Sequence, residues 1–246
     1  MTTPCGRTLS LLLLLVLLAL TLAGCGEDTV TEVVPIAQPL PEREQARYRL
    51  LDREGRQVGT ATLTIAPDGD DLRLGVAYEF SAQRTDIGSV VVRRQTLKPA
   101  REERTVVDGE KRYVTRAEYQ GLEVSVTFDD GRRPVTRKAS LTETAYDNLE
   151  TLFLLRAMEH KLGVEVRYVN VVIDPLRGTI SRTLATAHVI GREEVPLPSG
   201  PVQAWRVEFR SAGVTNTAWY RADDTRTLVR YAITRGPTLV LDSVLP

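Results

Sequence analysis

The chain contains only two histidines, His160 and His188, and histidine supplies most general-base chemistry near neutral pH. His160 lies near the end of a predicted helix, where the helix macrodipole favours a partly protonated imidazole and a structural role. His188 has no cysteine or second histidine close to it in the sequence with which it could bind a metal. Neither histidine is assigned to catalysis.

Motifs for other reaction classes are missing from the sequence. No G-x-S-x-G elbow surrounds a serine, and Ser199 lies among prolines, where a turn explains it. The acidic clusters at residues 68–71 and 129–130 lack the ligand spacing of a calcium loop and are typical of hairpin turns. The sequence therefore predicts a protein with no catalytic residue, no metal and no cofactor. An enzyme with a site assembled from scattered residues is the least favoured alternative.

The cysteines are Cys5 and Cys25, and Cys25 lies at the end of a leucine-rich run, Leu9–Leu22. One basic residue, Arg7, precedes this run. A charged start followed by an apolar middle is typical of an export signal. The run is shorter than the roughly 20 apolar residues of a membrane-spanning helix. The sequence therefore predicts an exported protein.

Residues Leu22-Ala23-Gly24-Cys25 resemble the lipobox of bacterial lipoproteins. The resemblance implies that Cys25 receives a diacylglycerol thioether and becomes the new N-terminus once the signal peptide, residues 1–24, is removed. Two or more fatty acyl chains, such as palmitate, make the attachment durable, since one chain binds reversibly. The alternative is an ordinary signal peptide with an incidental cysteine. We expect a bacterial membrane as partner through the lipid on Cys25, on its extracytoplasmic side, and no nucleic acid.

The segment that follows the cysteine is rich in proline. Residues 25–44 contain Pro35, Pro39 and Pro41 and no sustained hydrophobic period, which predicts a lipidated cysteine on a flexible tether. No long polar linker divides the remaining chain, and residues 45–246 are predicted to form a single β-rich domain.

Apolar and polar residues alternate repeatedly within this domain. Leu72, Leu74, Val76 and Tyr78 share one face of a predicted strand, as a half-buried strand requires. Turn sequences such as "PDGD" at Pro67 separate the strands. The pattern predicts an antiparallel meander. Further strands are predicted at residues 46–52, 57–66, 88–97, 111–119, 122–128, 164–173, 179–190, 205–209, 217–222, 229–233 and 238–244.

One segment, residues 145–162, has helical spacing of its apolar residues instead. Thr144 and Asp147 approximate a capping box, and Gly163 suits the C-terminal cap. The apolar stripe is broad and needs cover on more than one side. The predicted fold class is therefore mainly β, an antiparallel meander that forms a curled sheet or barrel with one packed α-helix.

Two surface features allow a functional and a simpler interpretation. Trp205, Trp219, Tyr220 and Tyr231 could line a groove for an apolar ligand, because aromatic surface with a polar tip suits amphiphiles. Core packing against the helix is the simpler role. Basic residues between Arg93 and Lys138 could contact anionic headgroups or cell-wall polymers, although outward charges also keep a sheet soluble.

The C-terminal half resembles an envelope-protein family known as domain of unknown function 3108. The resemblance is carried by "DNLETLFLLRAM" at Asp147, "VPLPSGPVQAWRVEF" at Val195 and "WYRADDTRTLVRY" at Trp219. It implies an exported, mainly antiparallel β architecture and assigns no catalytic residue.

The leading functional prediction is an extracytoplasmic, membrane-anchored lipoprotein whose domain is a non-enzymatic binding module for lipid or another apolar envelope molecule. The alternative is a structural scaffold that binds an envelope protein. An open apolar hollow inside the domain would favour a carrier, whereas a filled interior would favour a scaffold.

Overall fold

The computed structural model describes residues 34–246. The predicted signal peptide, the lipidation site at Cys25 and the first part of the predicted tether lie outside the described residues. Within residues 34–246, no helix is long and apolar enough to cross a membrane.

The described chain forms one sheet of fifteen strands. Their bounds are β1 (Glu44–Leu51), β2 (Gln57–Asp68), β3 (Asp71–Ser81), β4 (Arg84–Val92), β5 (Pro99–Asp108), β6 (Lys111–Gln120), β7 (Glu123–Asp129), β8 (Val135–Ser140), β9 (Ala145–Asp147), β10 (Glu165–Asp174), β11 (Thr179–Val195), β12 (Val202–Ser211), β13 (Val214–Arg221), β14 (Leu228–Ala232) and β15 (Thr238–Leu245).

The strands follow a meander, as predicted. Each pairs antiparallel with its sequence neighbour from β1 to β8 and from β10 to β15, and β1 pairs with β15 to join the two runs. The short strand β9 is parallel to β10. Tight hairpin turns use glycines with positive φ, such as Gly69 and Gly109. The sheet begins at β8 and ends at β9, so it is curled and unclosed.

The helix is much shorter than the predicted span of residues 145–162. Residues Ala145–Asp147 are strand β9, Asn148–Glu150 form a 3-10 turn, and the α-helix α1 covers only Thr151–Ala157. The capping box is formed by Asp147 and Glu150, one turn later than predicted from Thr144. The Asp147 carboxylate accepts from Leu149 N at 2.8 Å, and the Glu150 carboxylate accepts from Asp147 N at 2.7 Å.

The helix ends early because the backbone of Met158 is extended, with φ −68° and ψ 166°. Gly163, predicted to cap the helix, instead has φ +82° in the turn before β10. The apolar residues after Ala157 therefore do not continue the helical stripe. Met158 is fully buried, whereas Leu162 is 68% exposed.

The described start of the chain packs on the domain, which corrects the flexible-tether prediction for residues 34–43. Val34 and Leu40 are buried in the main core. The backbone N–H groups of Ala37 and Gln38 donate to the carbonyl oxygen of Ala157 at 2.9 and 3.1 Å. These two bonds satisfy a carbonyl at the end of α1 that has no partner within the helix. Ala37 and Gln38 thus cap the C-terminal end of the helix.

Strand β10 contacts two separate hydrophobic cores. Tyr168 lies in the main core around α1, stacked on Phe209, while Val171 lies in a second core with Val124 and Val126 of β7. Residues an odd number of positions apart in a strand point to opposite faces. The β6–β7 part of the sheet therefore covers the side of β10 that faces away from the helix, and the sheet rolls over its own end.

Candidate functional site

The predicted aromatic group does not form one surface. Trp205 and Tyr220 are paired across β12 and β13 and share the face of the sheet that covers α1. Tyr220 is completely buried, and its hydroxyl donates to the carbonyl oxygen of Leu152 in the helix at 2.8 Å. Trp205 is half-buried, with the Arg192 guanidinium 5.0 Å from its ring centroid. Tyr220 is thus part of the core that positions the helix.

Trp219 points to the opposite face of the same strand. Its indole N–H donates to the Glu193 carboxylate, and the Arg230 guanidinium lies 5.1 Å from its ring centroid. Both contacts cover the ring with neighbouring charged side chains, and Trp219 is 9% exposed. Trp219 therefore packs the outer face and does not share a groove with Tyr220.

Tyr231 is the predicted aromatic residue that borders an interior cavity. The cavity has a volume of about 250 Å³ and lies between the start of α1 and the sheet. Its wall includes Tyr78, Arg104, Leu149, Phe209, Asn216 and Tyr231. Ligand pockets for drug-sized molecules usually measure roughly 300–1,000 Å³, so this cavity is small.

The polar part of the cavity wall is electrically neutral. Arg104 donates from Nε and Nη2 to the two carboxylate oxygens of Asp86 at 2.7 and 2.6 Å, and its third nitrogen donates to the Ile173 carbonyl at 3.2 Å. The Tyr231 hydroxyl accepts from Asn216 at 2.9 Å and keeps its own proton to donate. The Tyr78 hydroxyl makes no hydrogen bond to another described residue. The cavity thus offers two phenolic donors beside an apolar wall.

A cluster of buried carboxyl groups lies behind this cavity, where the two cores meet. We call Glu102, Asp147 and Glu150, together with Tyr119, the acidic seam. Each of the three carboxyl residues is at most 2% exposed. The Tyr119 hydroxyl donates to the Asp147 carboxylate.

Burial determines the protonation of the acidic seam. Burial, and next the charge of Asp147, raise the pKa of Glu102 well above its usual range. Burial likewise raises the pKa of Glu150 well above its usual range and raises that of Asp147, although hydrogen bonds from Tyr119 and Leu149 oppose the shift at Asp147. Glu102 has no other hydrogen-bond donor among the described residues. A proton shared with Asp147 therefore replaces the repulsion between the two carboxylates with a hydrogen bond.

Lys98 supplies the positive charge nearest to the helix end of the seam. Its ammonium donates to the carbonyl oxygens of Glu143 and Ala145 and lies 3.6 Å from the centroid of the Tyr146 ring. Burial lowers the pKa of Lys98 to about 8, while the charge of Glu150 opposes that shift. Lys98 therefore holds β9 in place through its carbonyls.

Convergent carboxyl groups can signal an enzyme, but this pair is sealed. Glu102 and Asp147 do not line the 250 Å³ cavity, and both side chains are packed between the two cores. Asp147 also caps the turn before α1, so that moving it would undo the start of the helix. The geometry favours a structural role for the seam.

The histidines lie apart from the seam and the cavity. The His160 ring packs beside Tyr220, and its Nε2 lies 2.8 Å from the Leu155 carbonyl oxygen. Burial lowers the pKa of His160 to about 4, so the ring is neutral near pH 7 and the expected partial protonation is wrong. His188 lies in β11, paired with Glu165 and Glu208.

The carboxylates of the acidic turn at residues 68–71, one of the two clusters compared with a calcium loop, form ion pairs with arginines. Asp68 accepts from Arg73 and Arg101, and Asp71 accepts from Arg93 at 2.8 Å. Within residues 34–246, no group of three or more histidine, cysteine, aspartate or glutamate side chains could hold a metal ion.

The sequence matches the family model described as protein of unknown function (DUF3108) over residues 45–237. No curated protein matches it. Among solved structures, the domain is similar to a crystal structure from Bacteroides fragilis NCTC 9343, provisionally described as an exported protein with a YmcC-like fold. That comparison has a TM-score of 0.28 and 8% sequence identity and covers 85% of this chain and 98% of the other.

Proposed function

Because this chain belongs to the family of proteins of unknown function DUF3108, a name that assigns no activity, we propose a function from the geometry of its domain. The protein is an exported, lipid-anchored scaffold of the bacterial cell envelope. It is not an enzyme, and it binds an envelope protein through its outer surface and sheet edge.

The filled interior is the observation that carries this proposal. Tyr48, Tyr146, Tyr168 and Tyr220 are fully buried together with the leucines of the sheet and helix. The hydroxyls of Tyr48 and Tyr220 are satisfied by backbone carbonyls, so these rings are fixed core residues. The 250 Å³ cavity beside the start of α1 is small for a lipid with two acyl chains. A scaffold fits this interior better than a lipid carrier does.

The proposed anchor at Cys25 places the domain close to a membrane. An extended chain covers roughly 3.3–3.6 Å per residue, so the stretch from Cys25 to Val34 reaches at most about 32 Å. Val34 is already buried in the domain. A short connection of this kind keeps the scaffold within reach of partners at the bilayer surface.

Crosslinking in intact cells tests the scaffold proposal. A photo-crosslinking amino acid is introduced, one position at a time, at exposed sites across the whole surface of the full-length protein. We expect one dominant protein partner from neighbouring positions. Failure of every position to capture a protein would contradict the proposal.

A small apolar ligand in the cavity is a second candidate, favoured by the two phenolic donors of Tyr78 and Tyr231 beside apolar walls. A fatty-acid uptake assay distinguishes the scaffold from a carrier of a small apolar ligand. The delipidated protein is mixed with a fluorescent fatty acid, and Leu149→Trp serves as the variant that fills the cavity. The scaffold proposal predicts no saturable uptake. Stoichiometric uptake that is lost in the Leu149→Trp variant would support the carrier instead.

A further inference from the structure

A groove of about 380 Å³ lies where the open end of the sheet meets the β10–β11 turn. Arg133 and Arg137 line it on the β8 side, and Arg177 lines it on the turn. Val135 and Leu176 also line it and are 49% and 54% exposed. We call this surface the arginine groove. It combines exposed apolar side chains with several arginines, the residue type that is enriched at protein interfaces.

The charge of the arginine groove is not neutralised by its surroundings. Arg132, Arg133 and Arg137 make no ion pair within residues 34–246, and Arg177 has a 3.6 Å contact with Asp174. The acidic residues of the groove, Asp129 and Asp130, accept backbone N–H bonds from Gly131 at 2.9 Å and Arg132 at 3.2 Å, and their two negative charges are fewer than the four positive charges of the arginines that line the groove. The groove therefore has an excess of positive charge and suits an acidic partner.

Strand β8 borders this groove and is an edge of the sheet. Five of its six residues are exposed, and Ala139 is half-buried. In an antiparallel edge strand, alternate N–H and C=O groups point away from the neighbouring strand and remain available for pairing. Arg182 of β11 donates to the Ser140 carbonyl, and β11 contacts β8 there. Between Val135 and Ala139, the backbone makes no hydrogen bond to a described strand other than β7.

Protection of the edge against aggregation explains only part of this charge. Charged residues on an edge strand, here Arg137 and Lys138, commonly serve that purpose. Arg132, Arg133 and Arg177 lie in turns outside the strand, and a solubility role does not require them to converge on exposed Val135 and Leu176.

We propose that the arginine groove and β8 bind an acidic, extended segment of a partner protein by strand addition, which rests on the scaffold function proposed above. The segment pairs with the open edge through its backbone, and its alternate side chains enter the groove. Its carboxylates meet Arg133, Arg137 and Arg177, and its apolar side chains meet Val135 and Leu176. A lipid headgroup would match the arginines but neither the backbone edge nor the exposed apolar side chains of Val135 and Leu176.

Peptide binding to the full-length protein in detergent tests this proposal. The probe is a fluorescent ten-residue peptide in which every second position is glutamate or valine in turn and the positions between them are threonine, so that one face of the strand presents both side-chain types. It is compared with a version that carries prolines at the threonine positions. We expect binding of the first peptide and a loss of at least about tenfold in affinity in the Arg133→Glu, Arg137→Glu double variant. The matched control is Arg47→Glu with Arg53→Glu, which makes the same charge change on exposed residues outside the groove and leaves affinity within about twofold.

Three outcomes would overturn the proposal. Equal binding of the proline peptide would show that charge alone acts and that no strand is added. The protein could instead bind phosphatidylglycerol vesicles and not the peptide. If the double variant then loses vesicle binding, the groove is a membrane contact. Photo-crosslinking that captures a partner from Arg47 but not from Thr136 on β8 would leave the scaffold function intact and reject this surface. If no surface position captures a partner, the scaffold proposal fails as well.

Discussion

The Glu102 carboxyl lies beside Asp147 in the acidic seam, buried and without another described hydrogen-bond donor. Arg104, the closest guanidinium in the same strand, uses its donors on Asp86 and on the Ile173 carbonyl. The lowest-cost state of the seam therefore keeps a proton on Glu102 at pH values where an exposed glutamate has already lost it. At the scale of the residue, this proton links the stability of the fold to pH.

The variant Glu102→Gln should relieve a loss of stability at high pH. Below pH 4.5, the usual pKa of this carboxyl, both the folded and the unfolded states hold the proton and its stabilisation is complete. Above that pH the unfolded chain releases the proton while the folded chain keeps it, so stability falls by up to about 1.4 kcal/mol per pH unit until the raised pKa is reached. Urea unfolding at pH 5 and pH 8 should show the variant gaining stability relative to wild type as the pH rises.

Glu103→Gln is the matched control for this prediction. Glu103 follows Glu102 in β5, points to the outer face and has a side chain that is 66% exposed. Its stability difference from wild type should be the same at both pH values. A Glu102→Gln difference that does not change with pH would contradict the shared proton.

Removing the Tyr220 hydroxyl should loosen the helix from the sheet. Tyr220→Phe deletes the bond to the Leu152 carbonyl, which also accepts the helical N–H bond within α1, so the loss of one buried hydrogen bond should cost about 0.5–1.5 kcal/mol. Tyr78→Phe removes a hydroxyl without a described hydrogen bond and should cost less than about 0.5 kcal/mol. Denaturant unfolding measures both, and equal costs would argue against the helix contact.

Only part of this residue-scale chemistry is visible in the sequence. The D-x-x-E pattern of Asp147 and Glu150 is a capping-box signal that sequence reasoning could have placed one turn later than Thr144. Glu102 carries no such signal, because it meets Asp147 only after the sheet has rolled over β10. The four predicted aromatic residues were correctly placed on strands, and the alternation of neighbouring strand residues already puts Trp219 and Tyr220 on opposite faces. The burial of both residues follows from tertiary packing on the two sides of the sheet.

At the scale of the element, strands are predictable where one face is apolar. The predicted strand at residues 122–128 differs from β7 by one residue at each end. Strands β5 and β8 were missed, because β5 places Glu102 and Arg104 on its inner face and β8 is exposed on both faces. The helix was predicted too long, since apolar spacing past Ala157 reflects burial of a loop rather than helical geometry.

Gly88 in β4 allows the sheet to approach the start of the helix. An added Cβ there would lie 2.7 Å from Leu149 Cδ1 and 3.2 Å from Arg104 Cγ. Gly88→Ala should therefore cost about 1–3 kcal/mol through overpacking. Gly191→Ala is the control, because no atom lies within 4 Å of its added Cβ. Thermal unfolding should separate the two variants, and similar melting temperatures would show that the contact yields easily.

Arg156 joins the helix to two other elements. Its guanidinium donates to the Glu44 carboxylate of β1 at 2.6 and 2.9 Å and to the Thr225 carbonyl in the β13–β14 turn. The side chains are only 8% and 12% exposed, so Arg156→Gln leaves a buried, unpaired Glu44 and should cost about 3–5 kcal/mol.

Arg56→Gln is the control for Arg156→Gln. Arg56 pairs with Asp52 but has a side chain that is 74% exposed, and its loss should cost less than about 1 kcal/mol. Urea unfolding gives both free energies. A cost for Arg156→Gln as small as that for Arg56→Gln would mean that the buried pair does not hold the helix.

At the scale of the whole molecule, the rolled sheet has a filled interior and an open edge. The interior holds two packed cores, with a cavity of about 250 Å³ beside the start of α1, whereas β8 and the arginine groove remain exposed. The mainly β class and the meander follow from alternation and turn residues in the sequence. The roll depends on contacts between β6–β7 and β10, which are distant in sequence, and no local pattern predicts it. This division of filled inside and open outside is the basis of the scaffold proposal.

Native mass spectrometry of the full-length protein, extracted from its own bacterial membrane, tests this account most directly. The expected mass is that of residues 25–246 with a diacylglycerol and fatty acyl groups on Cys25, and with no additional small molecule bound at stoichiometry. An unmodified cysteine, an attached leader or a co-purifying lipid held inside the domain would contradict the account.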